Sequence, residues 1–389
     1  MDRREMQKLD AVPSAVGRIP ALDGIRGLAI SLVLWWHFAV SPLRANSPSL
    51  QNHPYLSSMA ELGRFTWSGV DLFFVLSGFL IGGILLDASR SPSYFSTFYI
   101  RRAYRILPLY AVLLLLTLLL IPHYGHLGWS RYASEFFYYP LFLQNFRMAA
   151  TGSFGPLGLG MTWSLAVEEQ FYLTLPLLVR RVPERILWRV LLGAVVAAPL
   201  LRILAWRFLK NSMAVSTLMP CRADALCLGV LIAMAIRTPS VWGGILAHRR
   251  LLYIVFALTG VLGLWMLIGH FQPFTPNWFA LEYSLLAILY SLLLLSTLVS
   301  RWLRSVFSMA PLRFMGTVAY CLYLFQSLVG FVLERVLGLA RGTGTVEASA
   351  LTVIASVGFA AISWKYFEKP LIQRGHRWLY AAPSSQDGV

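Results

Sequence analysis

Apolar stretches of about 18–22 residues recur along the whole chain, and each is long enough to cross roughly 30 Å of hydrocarbon. Of the 389 residues, 57% are apolar and only 13% are charged, which leaves too little polar surface for a soluble domain of this length. The sequence therefore predicts an all-α polytopic membrane helix bundle of about ten transmembrane helices, near residues 22–43, 68–87, 106–122, 162–180, 186–208, 220–236, 251–269, 279–299, 314–336 and 347–367.

Basic residues indicate the orientation of this bundle in the membrane. With the N-terminus in the cytoplasm, ten crossings return the C-terminus there, and about two thirds of the 33 Lys and Arg residues lie in cytoplasmic segments. This bias explains the formal net charge of +16 as a topology signal, so no nucleic-acid partner is expected. The predicted organisation is a cytoplasmic tail at 1–18, a transmembrane domain at 19–372 in the lipid bilayer, and a cytoplasmic tail at 373–389.

The first predicted span contains Asp23, Arg26 and His37, although a charge inside lipid costs about 2.5–3.5 kcal/mol on insertion scales. Arg26 and His37 are eleven residues apart, close to three helical turns, so they share a face at about 16 Å along the axis. One interpretation is an ion pair between Asp23 and Arg26, with His37 as a packing residue near the far interface. The other is a general base facing a tunnel, with Arg26 holding an anion at its opposite end. The residues alone give the two interpretations equal weight.

Asp71 enters the second predicted span near its outer end, in the stretch "GVDLFFVLSGFLIGGILL". It can orient an imidazole or cap the helix, and the sequence favours neither role. Gly78 and Gly82 form a small-xxx-small step, which is typical of closely packed membrane helices. We therefore expect the two glycines to be structural.

Three arginines stand at the cytoplasmic entrance to the third predicted span: Arg101, Arg102 and Arg105. The ordinary explanation is positive-inside charge in contact with lipid headgroups. The alternative is a clamp for phosphate, because guanidinium groups donate bidentate hydrogen bonds to phosphate oxygens. Taken alone, the motif favours the ordinary explanation.

Two adjacent carboxylates lie in the fourth predicted span, within "WSLAVEEQFYL". Ser164, Glu168 and Tyr172 follow i,i+4 spacing and form one polar stripe, while Glu169 points about 100° away. Pairing with an arginine from another helix is the structural explanation for such carboxylates. Because packing alone does not explain them, the stripe is a candidate functional surface.

Arg222 and Asp224 begin the sixth predicted span at its outer end. Arg222 can neutralise Glu168, stabilise an oxyanion or simply anchor the helix at the interface. Two outward connections, residues 44–66 and 123–161, are longer than turns, and such connections often shape an entrance. The three cysteines have neither disulfide nor metal-ligand spacing, so no metal site is expected.

Together these segments resemble the acyltransferase family 3 membrane proteins. The matching pieces occur in the family's order and cover most of residues 20–372: "LDGIRGLAI" followed by His37, "GVDLFFVLSGFLI", "FYIRRAYRILPLY", "WSLAVEEQFYL", "RADALCLG" and "SWKYFEKPL". The resemblance implies a ten-helix enzyme in a bacterial-type cytoplasmic (inner) membrane. Such an enzyme moves an acyl group, commonly acetyl from cytoplasmic acetyl-CoA, to a hydroxyl of an extracytoplasmic glycan or similar acceptor. Acyl-CoA is then a co-substrate, and no permanently bound cofactor is expected.

The resemblance also implies roles for individual residues. Arg26 and His37 match the family's Arg-x10-His pair, which makes His37 the expected catalytic histidine. Arg102 and Arg105 match its Arg-x-x-Arg pair, expected to bind the donor, with the adjacent Arg101 as a further candidate. Glu168 matches the glutamate of the Trp-Ser-Leu-x-x-Glu motif.

One position departs from the family pattern. Many relatives have histidine in the ninth span where "YCLYLFQS" places Gln326. Glutamine can hydrogen-bond but cannot titrate, which puts any proton-transfer role at this position in question.

The expected chemistry centres on His37. It would deprotonate the acceptor hydroxyl or first take the acyl group itself, and Asp71 or Glu168 would set its tautomer. The acceptor can instead be a small metabolite or a macrolide-type antibiotic that uses the same residues. A rival interpretation from another class is a transporter or flippase in which His37, Glu168 and Arg222 relay protons.

Overall fold

The computed structural model describes residues 19–41, 63, 65–124, 136–156, 158–210, 212–268, 276–338 and 346–381. Every regular element in these ranges is helical, which confirms the all-α fold class. In chain order the helices are α1 (Pro20–Trp35), α2 (Gly69–Ala88), α3 (Tyr94–Tyr124), α4 (Gln144–Thr151), α5 (Trp163–Arg181), α6 (Glu184–Leu209), α7 (Ser212–Thr217), α8 (Met219–Ala235), α9 (Pro239–Ala247), α10 (Arg249–Ile268), α11 (Pro276–Val299), α12 (Arg301–Phe307), α13 (Ala310–Phe331), α14 (Val346–Ser363) and α15 (Lys369–Gly375). Three of them, α1, α13 and α14, continue into π-helical turns at Trp36–Val40, Val332–Val336 and Trp364–Glu368.

Eight of the described helices are long and apolar enough to cross a bilayer: α2, α3, α6, α8, α10, α11, α13 and α14. The other two predicted spans are also helices and correspond to α1 and α5. These two contain charged candidate residues, Asp23 and Arg26 in α1 and Glu168 and Glu169 in α5. The predicted positions of the membrane helices are therefore matched by helices along the described chain.

Helices α2 and α8 form the centre of the bundle. Each helix lies in a stretch with an apolar segment of 18 residues. Of the residues in this segment, 67% are buried for α2 and 72% for α8. For α10 the corresponding fraction is only 11%. The outer helices thus turn apolar side chains outward, as expected where lipid surrounds the bundle.

Glycines allow the backbones of α2 and α8 to touch. A Cβ atom added at Gly78 would lie 2.0 Å from the carbonyl oxygen of Leu226, and one added at Gly229 would lie 2.1 Å from that of Val75. Gly82 also faces α8 at close range. This is the close approach that small residues permit between membrane helices, and it confirms the structural role predicted for Gly78 and Gly82.

Ion pairs join both ends of the α2–α8 contact. At one end Arg222 donates to Asp71, and both side chains are buried. At the other end the Nε of Arg237, just after α8, donates to Asp87 over 2.7 Å in a partly exposed pair. The pairs join the two helices in the same order along the sequence, Asp71 with Arg222 and Asp87 with Arg237, so α2 and α8 run parallel.

Helix α1 lies against both α2 and α13. Its contact with α13 is close, because a Cβ atom added at Gly27 would lie 1.9 Å from the carbonyl oxygen of Leu312. Asp23, one turn earlier on α1, is buried. The polar residues of the first predicted span therefore face the interior of the bundle.

Parts of the predicted loops and tails lie outside the described residues. These parts are residues 1–18, 44–62, 64, 125–135, 157 and 382–389. The described remainder of the second long connection contains α4 and most of the glycine-rich stretch "TGSFGPLGLG", which leads into α5.

Candidate active site

Three arginines line a cavity of about 120 Å³ inside the bundle, which we call the arginine cavity. They are Arg26 of α1 and Arg102 and Arg105 of α3. Arg26 Nη1 donates to Asp23 Oδ1 over 2.8 Å, so Arg26 forms the ion pair of one interpretation and also lines the cavity, as the other requires. The Arg102 guanidinium lies 5.4 Å from the centre of the Tyr172 ring. The arginines of two separate motifs thus meet in one place.

The polar stripe predicted on α5 borders the arginine cavity. Ser164, Glu168 and Tyr172 all line it, and the Tyr172 hydroxyl lies 2.6 Å from Ser77 Oγ of α2. Glu169, on another face of α5, is not among the residues that line the cavity. With one lining carboxylate and one ion-paired aspartate against three guanidinium groups, positive charge is in excess here.

Arg101, next to Arg102 in the sequence, does not line the arginine cavity. Its Nε donates to the carbonyl oxygen of Trp378 over 2.8 Å. Further hydrogen bonds join Ala381 to Ser91 and Ser93, just before α3. Arg101 therefore holds the C-terminal segment against the start of α3.

The arginines create a positive field that extends to His376, just beyond α15. Burial, and then the nearby charges of Arg101, Arg105 and Arg102, lower the pKa of His376 below its ordinary value. This end of the bundle is thus suited to attract anions.

A second and larger cavity, of about 710 Å³, is lined by His37, and we call it the histidine cavity. Asp71 of α2, Arg222 of α8 and Glu282 of α11 also line it. The rest of its wall includes aromatic rings and the end of the second long connection, among them Trp36, Trp67, Trp163, Tyr283 and Phe154. The glycine-rich stretch borders the cavity as well, as expected for a connection that shapes an entrance.

His37 lies in the π-helical turn that follows α1, a feature that the residue spacing did not predict. Its Nδ1 lies 2.8 Å from the carbonyl oxygen of Val33. Because a carbonyl oxygen can only accept, Nδ1 carries a proton, and a neutral ring then keeps its lone pair on Nε2. Single π-helical turns occur frequently at functional sites.

The Val33 contact corrects the prediction that a carboxylate sets the tautomer of His37. Asp71 lines the same cavity but is paired with Arg222, and Glu168 lines the arginine cavity instead. The backbone of the preceding helical turn orients the imidazole, and this requires no second titratable group.

Arg222 pairs with Asp71 and not with Glu168, which excludes one of the roles considered for it from the sequence. Both side chains are only 1% exposed. Among the described residues, Nε and Nη1 of Arg222 and Oδ2 of Asp71 have no hydrogen-bond partner. The Arg222 guanidinium also lies 3.8 Å from the centre of the Tyr283 ring. The wall of the histidine cavity thus contains a buried ion pair with unused donors and an unused acceptor.

Asp224 has a different environment from Arg222, although the two are neighbours in the sequence. It accepts hydrogen bonds from Arg202 Nη2 over 2.8 Å and from Ser284 Oγ over 2.7 Å, and it lines neither cavity. Glu282, which does line the histidine cavity, was missed by the sequence analysis. The signal that could have indicated Glu282 is its position as a carboxylate inside the eighth predicted span.

The two cavities adjoin at Val70 and Tyr323, which line both. The Tyr323 hydroxyl lies 2.6 Å from Ser164 Oγ and 2.9 Å from the carbonyl oxygen of Met161. Gln326, nearby on α13, is buried and lines neither cavity; its Nε2 lies 3.3 Å from the carbonyl oxygen of Tyr323. Tyr323 therefore lies where a path between the two cavities would pass.

A family model described as an acyltransferase domain, that of acyltransferase family 3, matches residues 19–365. The chain belongs to this family. The match includes every residue named above as lining either cavity. Together with the eight apolar helices, family membership identifies an integral membrane protein.

Two relatives illustrate the similarity. The chain is 24% identical over 390 residues to the peptidoglycan O-acetyltransferase OatA of Listeria monocytogenes, an alignment that covers 92% of this chain and 56% of that protein. It is 24% identical over 411 residues to the O-acetyltransferase OatA of Staphylococcus aureus, covering 97% of this chain and 61% of that protein. The chain thus spans about three fifths of the length of these relatives. No solved structure matches the chain.

Substituting alanine for Asp71 is expected to destabilise the protein by about 3–5 kcal/mol, because it leaves the buried Arg222 without a counter-charge. Asp87→Ala is the matched control, since it breaks a partly exposed pair between the same two helices and should cost about 1 kcal/mol or less. Thermal unfolding of both variants in detergent measures the difference. Equal melting temperatures would contradict the described burial of the Asp71–Arg222 pair.

Proposed function

We propose that the chain is a membrane O-acyltransferase that moves an acyl group, most simply acetyl from acetyl-CoA, to a hydroxyl of a glycan. The observation that carries this proposal is the pair of adjoining cavities, one lined by three arginines and the other by a histidine with an available Nε2. Membership of an acyltransferase family supports it, and so do the names of the two relatives. In this proposal the arginine cavity lies towards the cytoplasm of the inner membrane, where acyl-CoA is available, and the positive-inside bias of the sequence supports that orientation.

The arginine cavity suits the donor. Arg26, Arg102 and Arg105 offer guanidinium groups for the phosphates of coenzyme A, and the excess positive charge favours an anion. Its volume of about 120 Å³ is below the roughly 300–1,000 Å³ of pockets that enclose drug-sized ligands. We infer that the nucleotide stays outside, with its phosphates at the arginines, while the narrow acyl-pantetheine arm enters the bundle.

The histidine cavity suits the acceptor. Its volume of about 710 Å³ lies within the roughly 300–1,000 Å³ of pockets that enclose drug-sized ligands, which is enough for one or two sugar rings. Trp36, Trp67, Trp163 and Tyr283 offer flat apolar surfaces on which the carbon–hydrogen faces of a sugar can pack. Polar groups in the same wall can bind the sugar's hydroxyls. A hydroxyl-bearing glycan is therefore the acceptor class that we propose.

His37 is the proposed general base. Its Nε2 takes the proton of the acceptor hydroxyl while the hydroxyl oxygen attacks the thioester carbonyl carbon. The carbon–sulfur bond then breaks, the acyl group stays on the acceptor oxygen, and the proton passes from His37 to the departing thiolate. The donors left free on Arg222 can stabilise the negative oxygen that forms in between. Asp71 then acts on the chemistry through Arg222, whose charge it balances.

His37→Ala is expected to lower acyl transfer by about 10²- to 10⁴-fold, the usual contribution of a positioned base. His248→Ala is a matched control. The Nδ1 of His248 also lies 2.9 Å from a carbonyl oxygen four residues back, but the ring is exposed and lines neither cavity. The measurement is transfer of radioactive acetyl from acetyl-CoA to glycan fragments of a bacterial cell envelope, by protein in lipid nanodiscs. Near wild-type transfer by the His37 variant would overturn the assignment.

Arg102→Ala is expected to raise the KM for acetyl-CoA by about 10- to 100-fold, because one charge-assisted hydrogen bond contributes about 1.5–3 kcal/mol. Arg101→Ala is the neighbouring control, since Arg101 binds the C-terminal segment and does not line the cavity. The rate of coenzyme A release at varied acetyl-CoA concentration gives the KM of each variant. An equal KM for the two variants would place the donor phosphates elsewhere.

A further inference from the structure

We propose that Tyr323 is a gate between the two cavities and that it determines which acyl chains can pass from the donor to His37. The inference rests on the proposed function, because it assumes that the acyl group enters through the arginine cavity. Its own basis is separate: Tyr323 and Val70 are the residues that line both cavities in the described part of the chain.

The hydroxyl of Tyr323 is held from both sides of this boundary. Ser164, whose Oγ lies 2.6 Å away, lines the arginine cavity. Met161, whose carbonyl oxygen lies 2.9 Å away, lines the histidine cavity. A carbonyl oxygen can only accept, so the Tyr323 proton is donated to Met161 and the Ser164 hydroxyl can donate to the Tyr323 oxygen. The ring is thus fixed by two hydrogen bonds.

Three helices supply the parts of the gate. Tyr323 is on α13 and Ser164 is on α5, while Val70 approaches from α2. The ring of Phe73, also on α2, lies edge-on with its centre 6.1 Å from that of Tyr323. Rotation of the Tyr323 side chain would break these two hydrogen bonds, and we infer that this rotation opens the barrier.

This arrangement has two consequences for the reaction. The ring limits the space available to the acyl group at the boundary, so the small acetyl group should pass more readily than a larger acyl group. It also separates the thioester from the larger histidine cavity until an acyl-pantetheine arm displaces it, which limits hydrolysis of the donor by water. Tyr323 is therefore a positioning residue that acts through access and not through proton transfer.

Two variants of Tyr323 test the gate, with acetyl-CoA and butyryl-CoA as donors and protein in lipid nanodiscs. Tyr323→Ala removes the barrier and should raise the ratio of butyryl to acetyl transfer by about tenfold or more, the scale on which pocket size discriminates between chain lengths. Tyr323→Phe keeps the ring but loses both hydrogen bonds. It should accept acetyl as wild type does, while releasing coenzyme A faster when no acceptor is present.

Tyr110→Phe is the matched control. Tyr110, on α3, is buried and lines neither cavity; its hydroxyl donates to the carbonyl oxygen of Tyr139 over 3.0 Å and lies 3.4 Å from Gln144 Nε2. Its loss should change neither the butyryl-to-acetyl ratio nor acceptor-free release of coenzyme A. A general loss of packing would affect both phenylalanine variants alike, and that outcome would overturn the gate.

The outcomes also separate the gate from the function on which it rests. If wild-type protein transfers acetyl and Tyr323→Ala keeps the wild-type ratio, the gate is overturned and the proposed function stands. If wild-type protein neither transfers acetyl nor releases coenzyme A, while its fold is intact by thermal unfolding, the proposed function fails and the gate fails with it.

Discussion

A buried ion pair between Asp71 and Arg222 lies at the centre of the helix bundle. It joins α2 and α8, the most buried of the apolar helices, and it forms part of the wall of the histidine cavity. Removal of either partner would leave an uncompensated charge in an apolar interior. The backbone contacts at Gly78 and Gly229 bring the two helices close enough for the pair to form. The same two side chains thus contribute both to helix packing and to the wall of the histidine cavity.

Much of the fold followed from the apolar pattern. Each predicted span corresponds to a helix, because a stretch of about 20 apolar residues in lipid must satisfy its own backbone hydrogen bonds. The close packing at Gly78 could also be predicted, since a small-xxx-small step has a direct steric meaning. The same holds for the stripe of Ser164, Glu168 and Tyr172 on α5, which depends only on helical periodicity.

The partners of the charged residues could not be predicted, because they depend on how distant segments meet. Arg222 was considered as a partner for Glu168, and it pairs with Asp71 instead. The tautomer of His37 is set by the carbonyl group of Val33, which carries no signal in the sequence. The boundary at Tyr323 arises where α2, α5 and α13 come together, and no periodicity within one helix indicates it. The proposed roles of these residues remain predictions from geometry and family membership.

We propose that the two cavities divide acyl transfer between the two sides of the membrane, with the donor bound from the cytoplasm and the acceptor bound from outside. The most direct measurement uses proteoliposomes in which the cytoplasmic side of the protein faces the lumen, with radioactive acetyl-CoA sealed inside and cell-envelope glycan fragments outside. We expect label to appear on the external glycan and coenzyme A to remain in the lumen. Labelling only when donor and glycan are on the same side of the membrane would contradict it.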